Sequence, residues 1–525
     1  IQAEGYWMVE KMIGILLSDN SFEQDIRELL MAFCPGNKFT HEEEEAVSEA
    51  KLIVRGERAG DEFCLCVETR ADENGQSFAP PAGTKGDGED CMVQEAADPS
   101  WKTAGKGSVQ ILDGDRLETK NRIKRELYRL MSGLTGRTLP WGTLTGIRPT
   151  KIALTRLYEG MSEEEIRDYM RETYLTSREK IELSLDVARR EKELLSAVDY
   201  ENGYSLYIGI PFCPTTCLYC SFTSFPIGKW QGRTGLYLDA LFREMDYVAE
   251  KMKGRPLDTV YFGGGTPTSL SPEDLDAILD KVERTFPMDQ VKEFTVEAGR
   301  PDSITEEKLQ VLRNHGITRI SINPQTMKQE TLDLIGRRHT VEQVKETFRL
   351  ARKMGFDNIN MDLIVGLPEE DEEDVRNTME QIKELRPDSL TVHSLAIKRA
   401  ARLNMFRERY GNLKITGTQE MIDMTARYAR EMGMEPYYLY RQKNMAGNFE
   451  NVGYSVPGKA CIYNILIMEE KQTIMACGAG TTTKVVFPGE NRLERAENVK
   501  EVEQYIERVD EMLERKEKLI RQLEG

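Results

Sequence analysis

From Tyr204 onward, short runs of apolar and β-branched residues alternate with longer stretches whose apolar positions recur at helical spacing. Compact apolar or alternating runs read as strands, and the 3.6-residue repeat reads as amphipathic helix. Six strands are predicted, at Leu206–Ile210, Thr259–Phe262, Glu293–Glu297, Arg319–Ile322, Asn358–Ile364 and Ser389–His393. Helical stretches such as Gly235–Lys251, Pro272–Thr285 and Val341–Met354 lie between them. That alternation builds a parallel sheet. The fold class expected is α/β, with six units forming an open, partial (β/α)6 barrel whose active groups sit at the C-terminal strand ends.

The pattern before Tyr204 differs. A helix is expected over Phe22–Phe33 and a half-buried strand over Phe63–Val67, enough for a small α+β module. A segment from about 71 to 107 is rich in Gly, Pro, Asp and Ser and reads as a long mobile loop. Helical spacing returns over Lys120–Met131 and Glu163–Ala197, with the breaker Leu139-Pro140-Trp141-Gly142 between them. Three parts follow: an N-terminal extension over 1–200, a barrel over 201–400, and a C-terminal α+β region over 401–525 that covers the substrate and ends in a helix.

Composition narrows the partners. The 525 residues carry 71 Lys plus Arg against 89 Asp plus Glu, a formal charge of −18. Such a surface repels phosphate backbones and anionic lipid, so nucleic acid is not an expected partner. The apolar run Met12–Leu17 is too short for a membrane span, no secretion signal stands out, and a reducing cytoplasm is the expected location. The chain opens at Ile1 rather than Met, so its first residues are expected to be trimmed or missing.

Cysteine spacing changes the picture most. Cys213, Cys217 and Cys220 place three thiols at C-x3-C-x2-C spacing directly after the first predicted barrel strand. Iron-sulfur clusters are usually tied by four thiolates, so a three-thiolate loop implies a four-iron, four-sulfur cluster with one iron open to a small molecule. Structural zinc wants four Cys or His ligands, usually as two pairs, and no His lies nearby in sequence. A disulfide would leave one thiol over.

Further polar groups fall at the other strand ends. Phe262-Gly263-Gly264-Gly265-Thr266-Pro267-Thr268 would be an ordinary turn if it stood alone; beside a cluster loop, its glycines let backbone amides approach a ligand. No Gly-Lys-Ser or Gly-Lys-Thr follows, so it is not a P-loop. Glu297 and Asp362 end strands where carboxylates accept from ribose hydroxyls or an ammonium group. Each taken singly would be a cap or a solvated carboxylate. Gln325 and Arg337 complete the set, Arg337 being suited to bidentate capture of a carboxylate. Among the four histidines, His315 is placed as a helix C-cap, and His393 ends the sixth strand facing the barrel mouth.

Together these residues resemble the radical S-adenosylmethionine (SAM) enzymes, and within them the oxygen-independent coproporphyrinogen III oxidase-like family. The phrases that carry the likeness are Ile210-Pro211-Phe212-Cys213, Gly263–Thr268 and Asp362-Leu363-Ile364-Val365-Gly366-Leu367-Pro368, with Thr295–Pro301 and Tyr440–Asn448 pointing to the coproporphyrinogen dehydrogenase branch. The resemblance spans about 138–487. It implies that Cys213, Cys217 and Cys220 ligate the cluster and that SAM chelates the open iron. It further implies contacts to SAM, one molecule or two, from Tyr207, Tyr219, Gly265, Thr266, Glu297, Gln325, Arg337, Asp362, Ile364 and Ala396. Implied partners are a tetrapyrrole substrate or haem, and an electron donor such as flavodoxin or ferredoxin.

The implied activity is oxidative decarboxylation of coproporphyrinogen III propionates through a 5′-deoxyadenosyl radical. The alternatives are a haem-binding chaperone of the same family and a SAM-dependent enzyme of anaerobic haem breakdown. Two departures bear on the choice. Phe222 stands where the decarboxylating members carry a fourth cysteine, and Tyr463-Asn464 stands where the haem chaperones carry His-Asn, with Cys461 or Tyr463 as replacement haem ligands.

Overall fold

The computed structural model describes residues 12–70, 98, 100–398, 401–410, 412–442, 449–490 and 492–523. It divides the chain into two compact units, 1–185 with 441–449, and 186–440 with 450–525, where the sequence reading drew three segments.

In the first unit, β1 (Met12–Leu17), β2 (Lys38–Thr40), β3 (Ala50–Ala59), β4 (Glu62–Arg70) and β5 (Trp101–Gln110) form a mixed sheet in the order β2-β1-β3-β4-β5. Helices α1 (Glu23–Phe33) and α3 (Arg116–Thr135) pack on it, and α2 (Glu43–Glu49) joins β2 to β3. Leu29, Leu30 and Phe33 of α1 meet Ile123, Leu127 and Met131 of α3 over Val54, Phe63 and Leu65, all buried.

The expected loop over 71–107 is corrected at its C-terminal end. Residues 71–97 and 99 lie outside the described residues, but Trp101–Gln110 is a strand paired along β4. Its small residues misled the reading. A Cβ on Gly105 would lie 2.8 Å from Leu130 and one on Gly107 1.6 Å from Glu126, so these glycines allow α3 to cross the strand closely. After α3 come α4 (Thr150–Tyr158), α5 (Glu163–Tyr174) and α6 (Arg178–Leu195). The continuous helical pattern over Glu163–Ala197 is thus two helices, parted where Leu175 turns left-handed at φ 56°.

The second unit is built on β6 (Tyr204–Ile210), β9 (Leu257–Gly264), β10 (Glu293–Gly299), β11 (Arg319–Ile322), β12 (Ile359–Val365) and β13 (Ser389–Ser394), six parallel neighbours in that order. The short pair β7 (Phe212–Cys213) and β8 (Phe225–Pro226) lies just after β6. Between the strands run α7 (Thr234–Lys251), α8 (Pro272–Thr285), α9 (Glu306–Asn314), α10 (Gln329–Leu334), α11 (Val341–Lys353) and α12 (Glu372–Leu385). Leu275, Ile278, Leu279 and Val282 of α8 show why: one apolar stripe is buried and most of the rest is charged. The partial (β/α)6 barrel is therefore present, each strand within a few residues of its expected bounds.

Beyond β13 the chain extends the sheet at both edges. After α13 (Arg402–Met405), α14 (Arg407–Tyr410) and α15 (Gln419–Glu431), strands β14 (Glu435–Tyr440) and β15 (Asn451–Ser455) extend the sheet past β13. Residues 443–448 of the Tyr440–Asn448 phrase lie outside the described residues. Helix α16 (Ile462–Glu469) then carries the chain to the opposite edge, where β16 (Thr473–Cys477), β17 (Thr482–Phe487) and β18 (Arg492–Glu497) continue the sheet past β6. The chain closes with α17 (Val502–Glu507) and α18 (Val509–Ile520), and no helix of the described residues is long and apolar enough to cross a membrane.

Candidate active site

The cysteines leave β6 through Pro211. Pairing of β7 with β8 closes the loop at its neck, and the amide of Phe225 donates to the carbonyl of Pro211 at 2.8 Å. Two bonds fix its crown: Leu218 N donates to Ile335 O at 2.9 Å, and Thr215 Oγ1 to Gly336 O at 2.8 Å. Cys213 and Cys217 are buried, Cys220 is half-buried, and all three are free thiols. Their sulfurs do not lie within 4.8 Å of one another as the ligands of a single ion would; among the described residues, a group that close is Asp280, Glu283 and His315 on the surface. The loop fits a larger group better than one zinc ion.

Each sulfur has its own partner. Thr266 Oγ1 lies 3.4 Å from Cys213 Sγ, and Arg300 Nη1 lies 3.9 Å from Cys217 Sγ. The buried Arg337 guanidinium faces Tyr219 and Cys217, and the Phe222 amide and Ser224 hydroxyl face Cys220. Burial pushes the Cys213 thiol up to about 11 and raises that of Cys220. A thiolate here therefore needs compensating positive charge, which the two arginines offer and a cluster's iron would supply.

The glycine loop after β9 does something other than expected. Gly265 N donates to Ile210 O and Thr266 N to Phe212 O, each at 2.7 Å, so these two amides staple the cysteine strand instead of facing a ligand. A Cβ at Gly265 would lie 2.5 Å from Phe212 O and 3.0 Å from Cys213 Sγ, which explains the glycine.

The remaining residues expected to contact SAM are carried by the sheet and the loops after it: Tyr207 and Asp362 in mid-strand, Glu297 and Ile364 near strand ends, Gln325 and Ala396 just beyond β11 and β13, and Arg337 after α10. Tyr207 stacks on Tyr261 with centroids 6.0 Å apart, and Tyr261 OH donates to Glu297 Oε1 at 2.6 Å. Burial, with Asp362 nearby, lifts the Glu297 carboxyl to about 7 against that hydrogen bond. Gln325, at a left-handed φ of 72°, exchanges backbone bonds with β12: its amide donates to Asp362 O at 3.0 Å and its carbonyl accepts from Ile364 N at 2.9 Å. Asp362 Oδ1 accepts from Asn360 Nδ2 at 2.7 Å. His393 Nε2 is 4.0 Å from Asp362 Oδ2 while its Nδ1 is 3.3 Å from the Tyr440 hydroxyl, and burial lowers its pKa against the pull of Asp362. Ala396 follows β13, half-buried. Arg337 donates to the carbonyl of Asn323.

Sequence reading missed the group under the loop. Arg300 holds Asp302 through Nε (2.9 Å) and Nη2 (2.7 Å) and grips Thr215 through Nη1, 2.7 Å from its hydroxyl and 3.0 Å from its carbonyl. His339 is buried with Nδ1 3.7 Å from Asp302 Oδ1. The Arg-Pro-Asp run after Glu297 was the available signal. Two other expectations are corrected. Cys461 is interior and donates to Glu293 Oε1 at 3.2 Å, and Tyr463 lies in the core stacked on Tyr261 at 4.4 Å, so neither is an open haem ligand. His315 does cap α9, with its ring between Asp276 and Glu283.

Comparison with known proteins bears on this arrangement directly. The profile of the radical SAM superfamily matches residues 207–382, which hold the cysteine loop and strands β9 to β12. The oxygen-independent coproporphyrinogen-III oxidase-like protein HemZ of Bacillus subtilis is 44% identical over 398 residues, 74% of this chain and 78% of that protein. The chain belongs to the radical SAM superfamily, in the oxygen-independent coproporphyrinogen III oxidase-like family. The haem chaperone HemW of B. subtilis is 37% identical over 195 residues, 37% of this chain and 51% of its own length. Oxygen-independent coproporphyrinogen III oxidase of Escherichia coli is 32% identical over 196 residues, 37% of this chain and 42% of that enzyme. Membership in the radical SAM superfamily implies a four-iron, four-sulfur cluster and SAM, and the three separately partnered thiols beside two buried arginines fit such a cluster.

Proposed function

We propose that this protein is a radical SAM oxidoreductase that decarboxylates propionate side chains of coproporphyrinogen III, leaving vinyl groups and so making protoporphyrinogen IX. The observation that carries the reading is the likeness to HemZ over most of the chain. Cys213, Cys217 and Cys220 would hold the cluster. Tyr207, Tyr219, Gly265, Thr266, Glu297, Gln325, Arg337, Asp362, Ile364 and Ala396 would surround SAM, and the electron donor would be of the flavodoxin or ferredoxin kind. When bound, the cluster and SAM supply reductive cleavage to methionine and a 5′-deoxyadenosyl radical, able to abstract hydrogen from a propionate carbon.

The chain's own groups do the rest. Arg337, fixed by Asn323 O and Tyr219, presents positive charge beside the thiols. Glu297, near 7, accepts from Tyr261 and stands ready to hold or release a proton at its carboxyl. His393, its pKa lowered by burial and its ring set between Tyr440 and Asp362, offers one ring nitrogen as a proton acceptor at the mouth. Stacking of Tyr207, Tyr261 and Tyr463 keeps water from the floor.

Anaerobic incubation with SAM and reductant, offering coproporphyrinogen III and haem in parallel and reading products by mass, tests this. Loss of carbon dioxide from coproporphyrinogen III supports it. Formation of 5′-deoxyadenosine with coproporphyrinogen III untouched overturns it, and altered haem would point to breakdown of that ring. A second reading, haem chaperone, is favoured by Phe222 and by the likeness to HemW. With Cys461 and Tyr463 interior, it requires another ligand, and a haem titration that shows no binding to the reconstituted protein removes it.

A further inference from the structure

Phe222 stands in the cysteine loop, two residues beyond Cys220, with 71% of its surface exposed. One exposed aromatic ring alone is ordinary, whereas several exposed apolar side chains gathered together mark an interaction site. Phe222 has company. Met405 and Phe406 are 62% and 48% exposed, and their segment is tied to the loop by Leu403 N donating to Leu218 O at 2.9 Å and Arg402 Nη1 to Thr216 O at 3.5 Å. Lys398 Nζ lies 5.7 Å from the Phe222 ring centroid, and the Arg402 guanidinium 5.9 Å from that of Phe406. Lys398, Arg402, Arg409 and Arg338 are all exposed.

The charge here runs against the rest of the chain. Among the described residues between Lys398 and Lys414, the exposed charged side chains are Lys398, Arg402, Arg409 and Lys414 against Glu408, within a protein of net charge −18. Apolar anchors ringed by cations form a typical protein-docking face for an acidic partner. Exposure argues against a small substrate: a carbon attacked by a radical must be shut away from water, while about half or more of each of Phe222, Met405 and Phe406 is open to it. Position argues for an electron carrier. Cys220, half-buried and two residues from Phe222, is the thiol nearest this patch in sequence.

We propose that Phe222, Met405 and Phe406, with Lys398 and Arg402 against their rings and Arg409 exposed in the same segment over Tyr410, form the docking surface for a small acidic one-electron carrier that reduces the cluster. The inference rests on the reading of the three cysteines as cluster ligands. In the step, one electron passes from a carrier such as flavodoxin hydroquinone, which becomes the semiquinone, to the oxidised cluster; no bond is made or broken in this chain.

The test follows bleaching of the reconstituted cluster under stopped flow with two reductants, an acidic flavodoxin hydroquinone and photoreduced 5-deazariboflavin, which is neutral. With the Lys398→Glu, Arg409→Glu double variant, the second-order rate with flavodoxin at low salt is expected to fall at least tenfold and lose its salt dependence. The deazaflavin rate is expected to stay as in the unaltered protein. Phe222→Ala is expected to slow flavodoxin severalfold with the salt dependence kept. An unchanged flavodoxin rate in the double variant overturns the proposal. So does equal slowing with both reductants, or an unchanged flavodoxin rate with a raised KM for coproporphyrinogen III, which would make the patch a carboxylate-substrate site. Should the Glu pair fail to hold its cluster, Lys398→Gln with Arg409→Gln decides by the same comparison. If deazaflavin bleaches no cluster in the unaltered protein, the cluster reading itself has failed, and the two failures stay distinct.

Discussion

Glu370 shows how one buried carboxyl sets a pH window. It accepts from Thr326 Oγ1 at 2.6 Å, and burial lifts it from 4.5 to about 7 against that bond. The native state therefore keeps a proton that the unfolded chain has lost, so stability is full below about pH 4.5, falls as pH rises to about 7, and is then flat. At about 1.4 kcal/mol per unit the loss is roughly 3 kcal/mol. Glu370→Gln keeps an acceptor for Thr326 and is expected to remove most of that slope, as read from urea midpoints between pH 5 and 8. Arg300 is the second residue-scale case. With its charge 3.9 Å from Cys217 Sγ, Arg300→Gln is expected to make the cluster harder to reduce, moving the midpoint in an EPR-monitored titration to more negative values at unchanged iron content. The thiols themselves were legible because three cysteines in eight residues are a local signal. The Arg-Pro-Asp run hinted at Arg300, but its grip on the thiol loop was not legible, because only the fold brings the end of β10 under that loop.

At the scale of elements, the loop after β9 acts as a clamp on the cysteine strand. Gly265→Ala would press a methyl against Phe212 O and Cys213 Sγ and is expected to cost about 1–3 kcal/mol and most of the bound iron, measured by denaturation and iron analysis. Gly228→Ala, with nothing within 4 Å of the added carbon, should leave both unchanged. Helix α16 is the other device. Its Tyr463 fills the space against Tyr207 and Tyr261, and the Glu293 carboxylate accepts from Ile462 N at 2.6 Å at its start. Tyr463→Ala is expected to cost roughly 3–5 kcal/mol by leaving a cavity. The six barrel strands could be read because a buried parallel strand is a short apolar run wherever it lies. Strand β5 could not, since its glycines answer to α3, and α16 reads as any apolar helix until its neighbours are known.

Over the whole molecule, the second unit is tied shut from its C-terminal end. Lys516 of α18 is buried and donates to Glu244 Oε1 of α7 at 2.5 Å and to Asn498 Oδ1 at 2.8 Å. Glu244 also accepts from Gly478 N and Tyr505 OH, while Tyr237 OH donates to Gly209 O on β6. The last α-helix is thereby linked to β6, the strand that leads into the cysteine loop. Lys516→Met leaves a buried carboxylate without its cation and is expected to cost roughly 3–5 kcal/mol, whereas adding Glu244→Gln should restore part of it. A thermal or urea melt of the two variants checks this, and equal losses in both would show that the charge pair is not what holds the helix.

Local chemistry and periodicity were enough to determine the thiol triad, the β/α alternation, the acidic and polar residues at strand ends, and through them the family. These are properties of neighbouring residues, and the chain carries them wherever it folds. Tertiary structure alone decided which amides are spent on the loop, that Arg300 and Arg337 meet at one sulfur, and that Cys461 and Tyr463 turn inward. It also decided that Phe222 lies bare beside Lys398. Each of those depends on contacts between residues far apart in sequence, whose geometry is fixed only when the sheet curls and its edges are extended by β14 to β18.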